Sequence, residues 1–196
     1  MQRHLAMLAC ALLSTPAFAQ DGALTVARNL KQLTERSAVI VRGNVVSARV
    51  EKHPELRHLD TVVVTLRVRE SLKGDAGATF TFRQYVWGLR DRREFAGYRK
   101  GQHLLLMLIA PSRHGLSSPA GLEQGRFLIS RDAAGRELAV NGRANAGLLE
   151  GVGEWFDRER KVLTPELSSR IESHRAGAIP LEELTTLIRM TSPGAR

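Results

Sequence analysis

The hydrophobic pattern changes period along the chain. Between residues 37 and 110 apolar side chains recur mostly at every second position, the signature of strands with one buried face. In residues 62–70, Val62, Val64, Leu66 and Val68 form one row, and Val63, Thr65, Arg67 and Arg69 form the other. This predicts a strand that buries the first row and turns the two arginines outward, so those arginines do not by themselves signal a nucleic acid. The preceding run, "SAVIVRGNVVSARVE", sets Val46, Ala48 and Val50 against Ser47, Arg49 and Glu51. The alternation before Gly43 need not share a register with the one after it, which marks Gly43 as a bulge or sharp bend. Residues 79–87 place Phe80 and Phe82 opposite Thr81, Arg83, Tyr85 and Trp87. "HLLLMLIA", residues 103–110, is apolar almost throughout, which predicts a strand that is central or covered on both faces. Residues 126–130 and 137–141 flank "RDAAGR" and read as a hairpin with Gly135 in the turn.

At the two ends the period becomes helical. Leu24, Ala27, Leu30 and Leu33 predict a helix over 21–36, with Asp21 as its cap. Residues 164–174 read as a helix with Pro165 in its first turn. Residues 180–190 repeat that device, with Leu181, Leu184, Leu187 and Ile188 on one face. That face either caps the sheet or docks on a partner. "NAGLLEGVGEWFDRER" fits neither period. "KHPELRHLD", "SLKGDAGA", "GLRDRREFAGYRKGQ" and "PSRHGLSSPAG" read as connections. The N-terminus carries Arg3, a nine-residue apolar run "LAMLACALL", and Ala17-Phe18-Ala19. This is the order of a secretory signal, too short to span a bilayer, and it predicts export to the periplasm or beyond. No later run reaches membrane-spanning length, so no integral membrane segment is expected. The division that follows is a signal peptide at 1–19, an N-terminal helix at 20–36, a barrel at 37–145 and a helical extension at 146–196.

Several segments in this order carry a resemblance. "AVIVRGNVVSARVE", "TVVVTLRVRESLKG", "FTFRQY", Tyr98 and Gly101 before "HLLLML", and Gln124 to Ile129 resemble the netrin-like, or tissue-inhibitor-of-metalloproteinase-like, barrel and a set of exported bacterial proteins of the same order. The resemblance spans about residues 37–141 and implies a mainly β, α+β fold: a five- to six-stranded OB-type Greek-key barrel with flanking helices. It carries no functional residue across. The inhibitors place an N-terminal cysteine over a target's zinc, whereas the one cysteine here, Cys10, lies within the signal.

Composition narrows the chemistry. A hydrophobic fraction of 43% suits a chain with a packed core. A net charge of +9 suits an anionic partner, while the excess of arginine over lysine also follows from a GC-rich genome. A mature chain without cysteine has no disulfide and no thiolate metal site. His53, His58 and Asp60 have ligand-like side chains in one stretch but match no metal spacing, and a solvated loop is the weightier reading. His103 reads as a satisfied edge residue, while His114 and His174 show no partner. No nucleophile elbow, zinc-protease or phosphate-loop motif occurs, so no catalytic residue, metal or cofactor is assigned. The candidate ligand-binding set is Arg83, Tyr85, Trp87, Arg90, Arg92, Arg93, Arg99 and Lys100. Guanidinium groups pair with phosphate or carboxylate, and aromatic rings stack on bases or sugars. Against it stand an aromatic content of 5%, the acids Asp91 and Glu94, and a possible place for Tyr85 and Trp87 beneath a C-terminal helix. The function expected is non-catalytic binding of a protein partner, docking on Leu181, Leu184 and Ile188. The alternatives are an anionic glycan or nucleic acid held by the basic-aromatic set, and a hydrolase of unrecognised site. Oligomeric state is not set by the pattern.

Overall fold

The computed structural model describes residues 26–192; the signal stretch, Asp21 and Leu24 lie outside them. The chain runs α1 (Leu30–Arg36), β1 (Val39–Lys52), β2 (Asp60–Lys73), β3 (Thr79–Tyr85), α2 (Leu89–Arg93), β4 (His103–Leu108), β5 (Arg126–Arg131), β6 (Glu137–Asn141), α3 (Val152–Arg158), α4 (Pro165–Ser173), β7 (Ile179–Pro180) and α5 (Leu181–Thr191). The seven strands pair antiparallel in the order β3-β2-β1-β4-β5-β6-β7. The fold is therefore mainly β with flanking helices, as the pattern implies. Among the described residues the sheet is not closed, since no ladder joins its outer strands β3 and β7. Two isolated bridges, Arg83 with Leu116 and Leu108 with Pro119, tie the β4–β5 connection to β3 and to the end of β4.

Long β1 bends where glycine allows it. The register with β2 shifts between Arg42 and Gly43, and a Cβ on Gly43 would lie 2.5 Å from the Arg67 carbonyl oxygen. The bend gives the sheet a concave face filled by Val41, Val45, Val62, Val64, Leu66, Phe82, Leu104, Leu106 and Leu108. The other face carries the helices. Leu30 and Leu33 of α1 and Leu181, Leu184, Leu187 and Ile188 of α5 pack there with Ile40, Leu105, Met107 and Phe127. Strand β4 thus contributes alternate side chains to both clusters. The apolar face of α5 is spent on the sheet: Leu184 and Ile188 are 0% exposed and Leu181 is 3% exposed. The surface expected to meet a protein partner through these leucines is not available.

Boundaries differ from the sequence reading at several places, and three of them show a physical reason. First, α1 begins at Leu30, and residues 26–29 are not helical. The Asn29 side chain accepts from the Gln32 amide at 3.0 Å, and the Gln32 side chain accepts from the Asn29 amide at 3.1 Å. This reciprocal cap stops the helix from extending backward. Second, β2 continues through Ser71 to Lys73 where a connection was expected. Leu72 is buried on the helical face, and Lys73 Nζ donates to the Thr34 carbonyl at 2.7 Å. Third, β3 ends at Tyr85, which leaves Trp87 beyond the strand. The stretch without a clear period folds as a turn, then α3. The Asn141 and Asn145 side chains accept from each other's backbone amides at 2.8 and 2.9 Å and hold that turn.

Candidate binding surface

The predicted set divides in two. Arg83 belongs to the sheet. Its guanidinium donates to Thr61 Oγ1 at 2.6 Å and to Glu51 Oε2 at 3.4 Å, and its carbonyl accepts from the Ser117 amide at 2.8 Å. Charge and backbone of Arg83 are both engaged in holding β3 to its neighbours. Tyr85 is half-buried and meets Trp87 edge to face, with ring centroids 5.3 Å apart. Trp87 is 66% exposed, so no helix covers it. Arg90, Arg92, Arg93, Arg99 and Lys100 are all exposed on the connection from β3 to β4. Arg90 lies 3.6 Å from Glu94, and Arg92 lies 3.4 Å from Asp60. Among the described residues, Arg93, Arg99 and Lys100 form no ion pair. The Asp60 carboxyl is held below its usual range, chiefly by the hydrogen bond from Lys52, with Arg92 assisting.

The connection is anchored from beneath. Tyr98 is buried in the concave core, edge to face with Phe82 at 5.6 Å, and its hydroxyl donates to Gln84 Oε1 at 3.0 Å. Burial pushes the Tyr98 phenol well above its ordinary value, against the pull of nearby Arg126. Arg126 of β5 lies over the Tyr98 ring at 5.0 Å and donates to the Ala96 carbonyl at 2.7 Å. Between these anchors Phe95 and Ala96 both take left-handed backbone, at φ 53° and 50°. Each such residue costs about 1–2 kcal/mol without glycine, so the turn is held open by its anchors. The result is a strained loop that leaves Phe95 41% exposed and Leu89, on α2, 73% exposed. The sequence reading named neither. The signal was present: two isolated apolar residues in a strongly charged segment, on no strand or helix face that could bury them.

The histidines fall elsewhere. His53 is buried, not solvated. Its Nδ1 accepts from the Glu55 and Leu56 amides at 3.2 and 3.0 Å, so its proton resides on Nε2, which donates to the His114 carbonyl at 2.8 Å. Both ring nitrogens are committed, and none has a lone pair left for a metal. His58 is exposed, and Asp60 pairs with Lys52 at 2.8 Å. His114 Nδ1 approaches Glu55 Oε2 at 3.4 Å. His103 is neither at an edge nor satisfied. It opens central β4, and its buried Nε2 has no partner among the described residues. Burial lowers its pKa from the ordinary 6.5, with Arg69, Arg42 and Arg131 adding to the effect and Glu137 opposing it. Glu137 in turn receives Arg42 at 3.3 Å and Arg131 at 3.1 Å.

Among the described residues no three His, Cys, Asp or Glu side chains gather as a metal site would need, and no helix is long and apolar enough to cross a membrane. No family model, curated protein or solved structure matches the chain.

Proposed function

We propose that this chain is a non-catalytic binding module of an exported protein that engages a negatively charged partner through the β3–β4 connection. The carrying observation is the exposure, on one anchored connection, of five cations beside an open tryptophan ring. Opposite charge draws such a partner in, and the aromatic ring supplies apolar contact once it arrives. The same reading takes the bent sheet as a netrin-like, OB-type barrel. Two observations support it: the bridge from β3 to Leu116 runs parallel, and the bridge from β4 to Pro119 runs antiparallel, so the β4–β5 connection lies where a closing strand would. OB barrels present ligands to a strand face and nearby loops.

Binding to immobilised acidic ligands at low and high salt tests the function. The partner should be lost steeply as salt rises, because bound counterions are released on binding. Replacing Arg93, Arg99 and Lys100 together by glutamine should weaken binding and flatten that salt slope. Binding that ignores both salt and these substitutions overturns the reading.

A further inference from the structure

Six large apolar side chains are exposed among the described residues, and three of them, Trp87, Leu89 and Phe95, fall on this one connection. The other three, Val26, Leu128 and Val162, are scattered through the chain and need no special account. Leu89 begins α2, so Arg92 and Arg93 follow it one turn later on the same side. Arg99 and Lys100 then stand on the turn before β4. Apolar tips interleaved with cations are what a membrane surface selects: tryptophan at the headgroup level, leucine and phenylalanine in the acyl boundary, arginine and lysine against anionic headgroups.

We infer that the Trp87–Lys100 connection seats on an anionic lipid bilayer, inserting Trp87, Leu89 and Phe95 at the interface while Arg93, Arg99 and Lys100 meet the headgroups. The inference rests on the anionic-partner reading above and names the partner. Charge complementarity selects the anionic surface, and the side chains select lipid over polymer. Leu89, the most exposed of the three, offers no π face to a base or a sugar. Tyr85 and Trp87 stand at 82° to each other and form no stacked platform. The left-handed backbone at Phe95 and Ala96 holds the turn with Phe95 partly exposed before any partner arrives, so little ordering is needed on docking.

The test is co-sedimentation with vesicles of phosphatidylglycerol or of phosphatidylcholine, beside binding to heparin and single-stranded DNA. Emission is read in a Trp155→Phe background so that Trp87 alone reports. The expected result is binding to phosphatidylglycerol only, with Trp87 emission shifted to the blue and quenched by brominated acyl chains. Leu89→Asp should lower partitioning about tenfold or more. Phe95→Asn, which suits the left-handed backbone, should act in the same direction with an unchanged melting midpoint. Arg93→Gln should lower partitioning roughly fivefold. Vesicle binding without a blue shift, or indifferent to Leu89→Asp, overturns insertion and leaves the anionic reading standing. So does binding to heparin or DNA with none to vesicles. Failure to bind any of the four overturns both.

Discussion

Two connections of matching length leave the sheet at β4, and they are put to opposite uses. The β4–β5 connection, residues 109–125, is sewn down along its course. Ile109 and Ser118 pair at 3.0 Å, the Ala120 amide donates to the Met107 carbonyl at 2.6 Å, Ser117 reaches Arg83, and the His114 carbonyl accepts from His53. Gly125 packs so closely that a Cβ would lie 2.5 Å from the Ala120 carbonyl oxygen. The β3–β4 connection, residues 86–102, is fastened at Tyr98, at Ala96 and at its two ends, where Val86 bonds Asp60 and Gly101 bonds Val45. Between those points its largest apolar side chains face outward. The difference teaches that hydrogen-bonded backbone with small buried residues pins a connection to its sheet, whereas a few deep anchors leave side chains free to meet something else.

The comparison breaks most severely at Tyr98. Tyr98→Ala removes the buried ring under the open connection and should cost about 3–5 kcal/mol, read from the denaturant midpoint. If the cost is under about 1 kcal/mol, the ring is not the anchor described. Glycine substitutions sharpen the contrast at the next scale. Gly125→Ala forces a Cβ into backbone and should destabilise by about 1–3 kcal/mol. Gly88→Ala meets nothing within 4 Å and should stay within about 0.5 kcal/mol. Equal effects at the two positions would erase the distinction between sewn and open.

Acid should loosen the sheet at the start of β4. His103 has a lowered pKa in the fold, so above the ordinary value of 6.5 it is neutral folded or unfolded and its contribution is complete. As pH falls below 6.5 the unfolded chain takes the proton first, and stability declines toward the folded pKa. The depressed carboxyls of Glu51 and Asp60 act in a lower window, below their ordinary 4.5 and 3.8. The melting midpoint should therefore drop as pH falls from about 7 through the range below 6.5, and His103→Gln should flatten that fall. A flat profile in the unsubstituted protein counts against the burial of His103. Smallest of all, Trp87→Ala or Leu89→Ser should move stability by no more than about 0.5 kcal/mol, because both side chains are largely exposed. A larger loss would mean that these residues hold the fold.

The strands were legible because alternation reports burial directly. Val62, Val64 and Leu66 fill the concave core, Arg67 is outside, and the continuous apolar run of β4 is covered on both faces. Gly43 bends β1, and Gly135 turns the β5–β6 hairpin at φ 79°. What alternation could not show was where hydrogen bonding between distant segments overrides the local period. The helical spacing from Leu24 runs past the true start at Leu30, since Asn29 and Gln32 cap there and the Leu30 amide bonds the Leu148 carbonyl at 2.7 Å. The basic-aromatic cluster was visible as composition, but its division was not. Arg83 alternates like its exposed neighbours yet spends its guanidinium on Thr61 and Glu51. Leu89 and Phe95 carry no periodic signal, because they gain their position from anchors in other elements.

Strand β4 has a consequence for how the chain folds and melts. It joins β1 on one side and β5 on the other, so removing it from the order leaves two three-stranded meanders, β1–β3 and β5–β7, with no pairing between them. Its side chains also complete both hydrophobic clusters, Leu104 and Leu106 in one, Leu105 and Met107 in the other. Neither meander can become independently stable before β4 arrives, and once it has arrived neither can open alone. Unfolding should accordingly be all-or-none despite the layered build, with tryptophan emission and far-ultraviolet circular dichroism tracing one transition. A chain stopped short of His103 would carry two unfinished cores and an exposed β1 edge, a template for aggregation instead of a smaller domain.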